Sequence, residues 1–101
     1  MPQRSNFEWD RAKSEANRAI PGRGFAFDAV VPMFDGPTLE RVDGRKDYEE
    51  ERIIAFGAVG EKILAVVFTW RAERRRIISV HFANHAERQA YRAWLSATHP
   101  E

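Results

Sequence analysis

Arg71, Arg74, Arg75 and Arg76 are followed, within one strand length, by Ser79 and His81. Guanidinium groups pair with phosphate through parallel N–H donors and keep their charge at any working pH. An imidazole titrates near neutrality and suits acid or base work. Together these groups fit cleavage of RNA by its own 2′-hydroxyl. That reaction needs a base for the hydroxyl proton, cations for the crowded phosphorane and an acid for the leaving oxygen. It requires no metal and no cofactor, and none is expected. His81 and His85 are four apart, but a strand-to-helix junction falls between them, so no shared metal is expected. No nucleotide-binding glycine loop and no paired-histidine metal motif is present.

For these residues to meet, 75–82 must be a strand. Alternation then gives Ile78, Val80 and Phe82 one face, the expected core, and lines up Arg75, Ile77, Ser79 and His81 on the other. A plain strand hydroxyl at Ser79, and a strand-end histidine at His81 with its ring satisfied locally, fit the same spacing. Residues 61–70 form a strand apolar on both faces, which marks it as central and covered on both sides. Residues 52–59 read the same way, Gly60 turns the chain, and 71–74 make the next turn. A weaker strand covers 38–42, followed by the turn signal Asp43-Gly44.

Upstream, Phe7 and Trp9 alternate with Glu8 as a short extended segment, and Asp10 is a good N-cap for a helix over 11–20 that Pro21-Gly22 stops. Phe27, Val30, Val31 and Phe34 fall at helical spacing, with Pro32 set to kink or end a short second helix. Downstream, Asn84-His85-Ala86-Glu87 matches a capping box before a helix lined by Ala90, Tyr91, Trp94, Leu95 and Thr98. The expected fold is α+β: a single domain over 1–101 with two N-terminal helices, a four-stranded antiparallel sheet and a C-terminal helix. Four strands and these helices cover one side of a sheet easily, which leaves open what covers the other.

The 101 residues carry 16 basic and 15 acidic side chains, a net charge of +1, which argues against a long nucleic-acid footprint. The charges are segregated, however, with acids collected at Asp43, Asp47, Glu49, Glu50 and Glu51. Either these are two solvated surfaces or the arginines form a local basic pocket. Without cysteine there is no disulfide framework, no Cys-based zinc site and no thiol nucleophile, which fits a reducing compartment. The opening MPQRSNFEWD lacks the apolar stretch of a secretory signal. The longest apolar run, 63–70, is too short to span a bilayer as a helix, so no membrane is expected. A cytoplasmic location is the expectation.

A series of short motifs resembles the BrnT family of type II toxins, within the broader RelE/ParE-like group. Phe7-Glu8-Trp9-Asp10 matches its FEWD opening, followed by Lys13 and Asn17. Phe25, Val31, Phe34, Asp35 and Pro37 resemble its second helix and exit turn. Glu50, Arg52 and Gly57 fit E-x-R…G, and Leu64, Val66, Val67, Phe68 and Thr69 resemble LxVVYT. Arg76-Ile77-Ile78-Ser79 matches RIIS, and Ala83, Glu87, Arg88 and Tyr91 match the A…ER…Y close.

The resemblance implies a RelE-like fold and a metal-independent endoribonuclease that cleaves mRNA and arrests translation. It also implies a hetero-oligomer with a small BrnA-like antitoxin carrying a ribbon-helix-helix DNA-binding part, which would also cover the sheet's second face. Under this reading the catalytic set is His81, Arg76, Arg52 and Glu50, with Glu50 or Glu51 as a base or an orienter of Arg52. Arg74, Arg75 and Arg88 hold RNA phosphate. Two plainer readings stay open, a cross-strand ion pair for Arg52 with Glu50 and a helix-surface charge for Arg88. The tryptophans and Tyr91 are read as core or partner interface. The chain departs from the family where Ile20-Pro21 replace Lys-His and where Val80-His81-Phe82 replace Ala-Arg-Arg. Either His81 takes over as acid or base, or the chain is an attenuated binding module that only engages an antitoxin or RNA.

Overall fold

The computed structural model describes residues 6–20, 25–44 and 50–99. The Pro21-Gly22 helix stop and the acidic Asp47 and Glu49 lie outside the described residues. In chain order the elements are β1 (Phe7–Trp9), α1 (Arg11–Ala19), a 3-10 helix (Phe27–Asp35), β2 (Leu39–Val42), β3 (Ile53–Val59), β4 (Lys62–Arg71), β5 (Arg74–Phe82) and α2 (His85–Thr98).

The sheet differs from the four-stranded antiparallel one expected. It has five strands in the order β1-β5-β4-β3-β2, and β1 runs parallel to β5. The extended character of 7–9 was legible, but its partner lies far along the chain, with Glu8 opposite Arg76. Parallel pairing of this kind leaves no turn signal to read. The second N-terminal helix is also corrected: Phe27–Asp35 is a 3-10 helix, with Pro32 inside it. Proline supplies no N–H to an α-helical ladder. The helix is held instead by its contacts, since the Phe27 amide donates to Ser14 Oγ at 2.8 Å and Asn17 Nδ2 donates to the Phe25 carbonyl at 2.9 Å. Ser14 and Asn17 are thereby buried on the inner face of α1.

Both faces of the sheet are covered within the chain. Phe7, Ala55, Leu64, Val66, Phe68, Ile77 and Val80 pack under α1 and the 3-10 helix. On the other face Ile54, Phe56, Ala65 and Val67 meet Tyr91 of α2, with Trp94 and Leu95 packed around them. Phe56 and Phe68 are essentially fully buried, each stabilising by about 1.5–3 kcal/mol relative to exposure. Alternate residues of β4 thus enter different cores, which is why that strand is apolar throughout. The helix therefore supplies cover that the sequence had assigned to a partner. Its start is set by the capping box: Asn84 Oδ1 accepts from the Glu87 amide, and Glu87 Oε1 accepts from the Asn84 amide. Tyr91 then donates to the Pro37 carbonyl at 2.9 Å and ties α2 to the entry of β2. Burial pushes the Tyr91 phenol up from its ordinary pKa.

Gly57 is required by close approach. A Cβ there would lie 2.5 Å from Met33 Cγ and 3.3 Å from the Thr38 methyl. The two hairpin turns contrast. Gly60 supplies φ +62° after β3, whereas Ala72 takes φ 55° between β4 and β5. Alanine pays a steric cost in that region that glycine does not.

Candidate functional site

The arrangement of β5 is decided by a bulge. Val67 pairs with Ser79 and Phe68 with Ile77, so Ile78 has no partner on β4. Residues opposite each other share a face, and the extra residue reverses the alternation. The row expected from simple parity is therefore split. Arg75 sits opposite Trp70 and Ile77 opposite Phe68, on the face covered by the 3-10 helix; Arg76, Ser79 and His81 sit opposite Thr69, Val67 and Ala65, on the α2 face. Ile77, expected outward, is 2% exposed, and Phe82, expected in the core, is 36% exposed.

Arg75 packs among aromatic rings. Its Cζ lies 5.8, 4.6, 5.3 and 4.7 Å from the ring centroids of Phe7, Phe34, Phe68 and Trp70. Its one ion pair among the described residues is to Glu40, at 3.7 Å, and its buried Nε has no acceptor among them. Burial pulls its pKa below the usual arginine value, with the Glu40 charge opposing. Cation–π contact with several rings stabilises such a group in place. Arg75 is thus built into the closed face.

Arg76 is held differently. Its Nη1 donates to Glu8 Oε2 at 2.9 Å across the parallel β1–β5 pair, and both side chains remain about one-third exposed (31% and 29%). Glu8 lines a shallow cleft of ≈ 740 Å³ with Asn6, Arg71, Ala72, Glu73 and Arg74. Arg71 and Arg74 stand directly opposite each other across the hairpin. Like charges in that position repel. The turn between them holds Ala72 at positive φ. Two local costs therefore coincide at the cleft rim, the pattern expected where a site rather than stability is being served.

Glu50 approaches the same end, 3.7 Å from Arg71 Nε in an exposed pair. Thr69 Oγ1, buried, donates to the Glu51 carbonyl at 2.8 Å and clamps the strand entry beside β4. Arg52 follows, just ahead of β3, and its carbonyl accepts from the Asp43 amide at 2.8 Å. Arg52 is half-buried and by alternation lies on the Ile54 side, the α2 face. Glu50 thus pairs with Arg71.

His81 and Arg88 fall elsewhere. His81 Nε2 is 3.6 Å from Glu87 Oε1, the same oxygen that caps α2. Four β4 positions separate the partners of His81 and Arg76, about 13 Å along the strand. Arg88 Nη1 donates to the Ala83 carbonyl at 2.8 Å and lines a small pocket with Lys62, Phe82 and Arg92. The structure therefore brings together Arg76, Arg74 and Arg71 with Glu50 nearby, places His81 further along the same face, and sets Arg75 and Arg88 apart. Glu8 was missed as a site residue. Its only sequence signal is its place in the FEWD run, because its partner is 68 positions away. No cluster of His, Asp or Glu suited to a metal ion occurs among the described residues. Among the described residues no helix is long and apolar enough to cross a membrane.

The family model for the ribonuclease toxin BrnT of type II toxin–antitoxin systems matches residues 9–87. No curated protein and no solved structure matched the chain. The match spans α1, the 3-10 helix, β2 to β5 and the arginine hairpin, ending in the first turn of α2, and on that basis the chain belongs to the BrnT family of ribonuclease toxins, whose type II systems pair each toxin with an antitoxin.

Proposed function

We propose that the chain is a metal-independent endoribonuclease that cleaves mRNA and arrests translation, acting in the cytoplasm, and that a BrnA-like ribbon-helix-helix antitoxin neutralises it. The observation that carries this reading is the hairpin tip. Arg71 and Arg74 face each other across a strained turn at the rim of an open cleft, with Arg76 bonded to Glu8, which lines it. An RNA phosphate placed there relieves the repulsion between the two cations and replaces weak, exposed carboxylate pairs. Arg76, with its charge fixed, stabilises the phosphorane as it forms. Arg52 and Glu50 border the same end. His81 lies beyond hydrogen-bond reach of a phosphate held by Arg76, so we assign it to the adjoining nucleotide.

A second reading is favoured by a specific observation. Ile20 and Phe82, where the family carries charge, are exposed apolar residues at 41% and 36%. They fit a binding module that engages an antitoxin or RNA without cutting it. Inducible expression of the chain without its antitoxin separates the two. Growth arrest with mRNA cleavage, abolished by Arg76→Ala in well-folded protein, supports the nuclease. Continued growth with soluble, folded protein supports the module and sinks the nuclease.

A further inference from the structure

We propose that Glu8 is the general base of the cleft, taking the proton from the 2′-hydroxyl that attacks the scissile phosphate. The inference rests on the nuclease reading above. Among the described residues, Glu8, Glu50 and Glu73 are the carboxylates at the turn end of the arginine hairpin, and the geometry separates them. Glu73 belongs to the turn itself, and Glu50 is 40% exposed with a 3.7 Å contact to Arg71. Glu8 alone is mounted on a strand, half-buried, lining the cleft and fixed by a 2.9 Å charge-assisted bond. Groups carried by strands hold position better than groups on loops.

The partner of that bond adds direction. A guanidinium carries five N–H donors in one plane. Arg76 commits Nη1 to Glu8, and its other donors take no part in that bond. A phosphate bound by those donors sits beside the Glu8 carboxylate, so one arginine aligns base and electrophile. Arg71 and Arg74 complete the positive rim, and Glu73 is the remaining charged group lining the cleft.

The step balances without a metal. The 2′-oxygen lone pair forms the O2′–P bond as its proton passes to Glu8. The P–O5′ bond breaks, and the 5′-oxygen takes a proton from water. Glu8 then returns its proton to the hydroxide so formed. The products are a 2′,3′-cyclic phosphate and a 5′-hydroxyl.

The test compares the wild-type chain with Glu8→Gln, Glu8→Asp and Arg76→Ala in a cell-free translation reaction programmed with labelled mRNA. Affinity for a labelled single-stranded RNA and the melting temperature are measured in parallel. Glu8→Gln is expected to cut at least about 100-fold more slowly, the usual contribution of a positioned base. It should bind RNA as tightly as the wild type or more so, because a negative charge has left the cleft. Glu8→Asp, which keeps the carboxylate one methylene further back, should fall between the two in rate. Arg76→Ala should lose binding and cleavage together. If Glu8→Gln cuts as fast as the wild type, the inference is overturned while the nuclease reading stands. If it loses binding and cleavage in equal measure, Glu8 only positions Arg76 and the inference is again overturned. A folded wild type that leaves mRNA intact overturns both. Should Glu8→Gln fail to melt cooperatively, Glu8→Asp decides: full wild-type rate overturns the base assignment.

Discussion

Arg75 and Arg76 are neighbours in the chain and opposites in the fold. Arg75 packs among four aromatic rings on the closed face, with burial lowering its pKa. Arg76 lies on the other face, bonded to Glu8 beside an open cleft. The closed face is built for packing: rings, a cation seated among them and a glycine that lets Met33 approach. The open end tolerates costs that packing would remove, namely facing arginines and an alanine at positive φ. A run of arginines in a sequence is therefore not one patch. Which member serves the core and which serves the surface is decided by strand pairing.

The contrast can be sharpened by removing charge from the open end first. Arg71→Ala combined with Arg74→Ala should weaken single-stranded RNA binding at least about tenfold at low salt. It should also flatten the slope of log affinity against log salt by about 1.4, or ~0.7 per lost phosphate contact. Fluorescence anisotropy titrations across salt concentrations read both, and an unchanged slope would break the contrast from the RNA side.

On the closed face, Gly57→Ala drives a methyl into Met33 and should cost about 2 kcal/mol in urea unfolding, with RNA affinity unaltered. Arg75→Ala should cost about 1–2 kcal/mol through lost ring contacts and leave the salt slope alone. A smaller change of opposite sign comes from the open end. Ala72→Gly should stabilise by about 1 kcal/mol, because glycine takes the positive φ without strain.

Tyr91→Phe should cost about 1 kcal/mol near neutral pH through the lost bond to Pro37. The phenol's pKa is raised by burial, so the folded state holds the proton more tightly than the unfolded one. Its contribution is complete below the unfolded value of about 10 and is lost as pH rises through the folded value. The variant should therefore show a shallower loss of stability at alkaline pH, followed by circular dichroism.

Much of the scaffold was legible because its signals are local. Asp10 caps α1, Asn84 and Glu87 form the capping box, and the doubly apolar 61–70 is indeed central, with a core on each face. What was illegible is non-local or depends on one residue of register. The β1–β5 pairing joins segments far apart in the chain, and it carries Glu8 to Arg76. The bulge at Ile78 has no glycine to announce it, yet it moves Arg75 out of the row with Ser79 and His81. The 3-10 helix kept the expected apolar spacing but not the expected geometry, because Pro32 and the bonds to Ser14 and Asn17 hold it otherwise. Arg76 was placed in the site from sequence; the carboxylate that holds it was not.

The most direct test sets the two neighbouring arginines against each other. Labelled mRNA cleavage is followed for Arg76→Ala and Arg75→Ala in the same cell-free reaction, at a temperature where circular dichroism shows both folded. The account predicts a loss of about 100-fold or more for Arg76→Ala and a rate within about threefold of wild type for Arg75→Ala. Equal losses, or the reverse order, would contradict it.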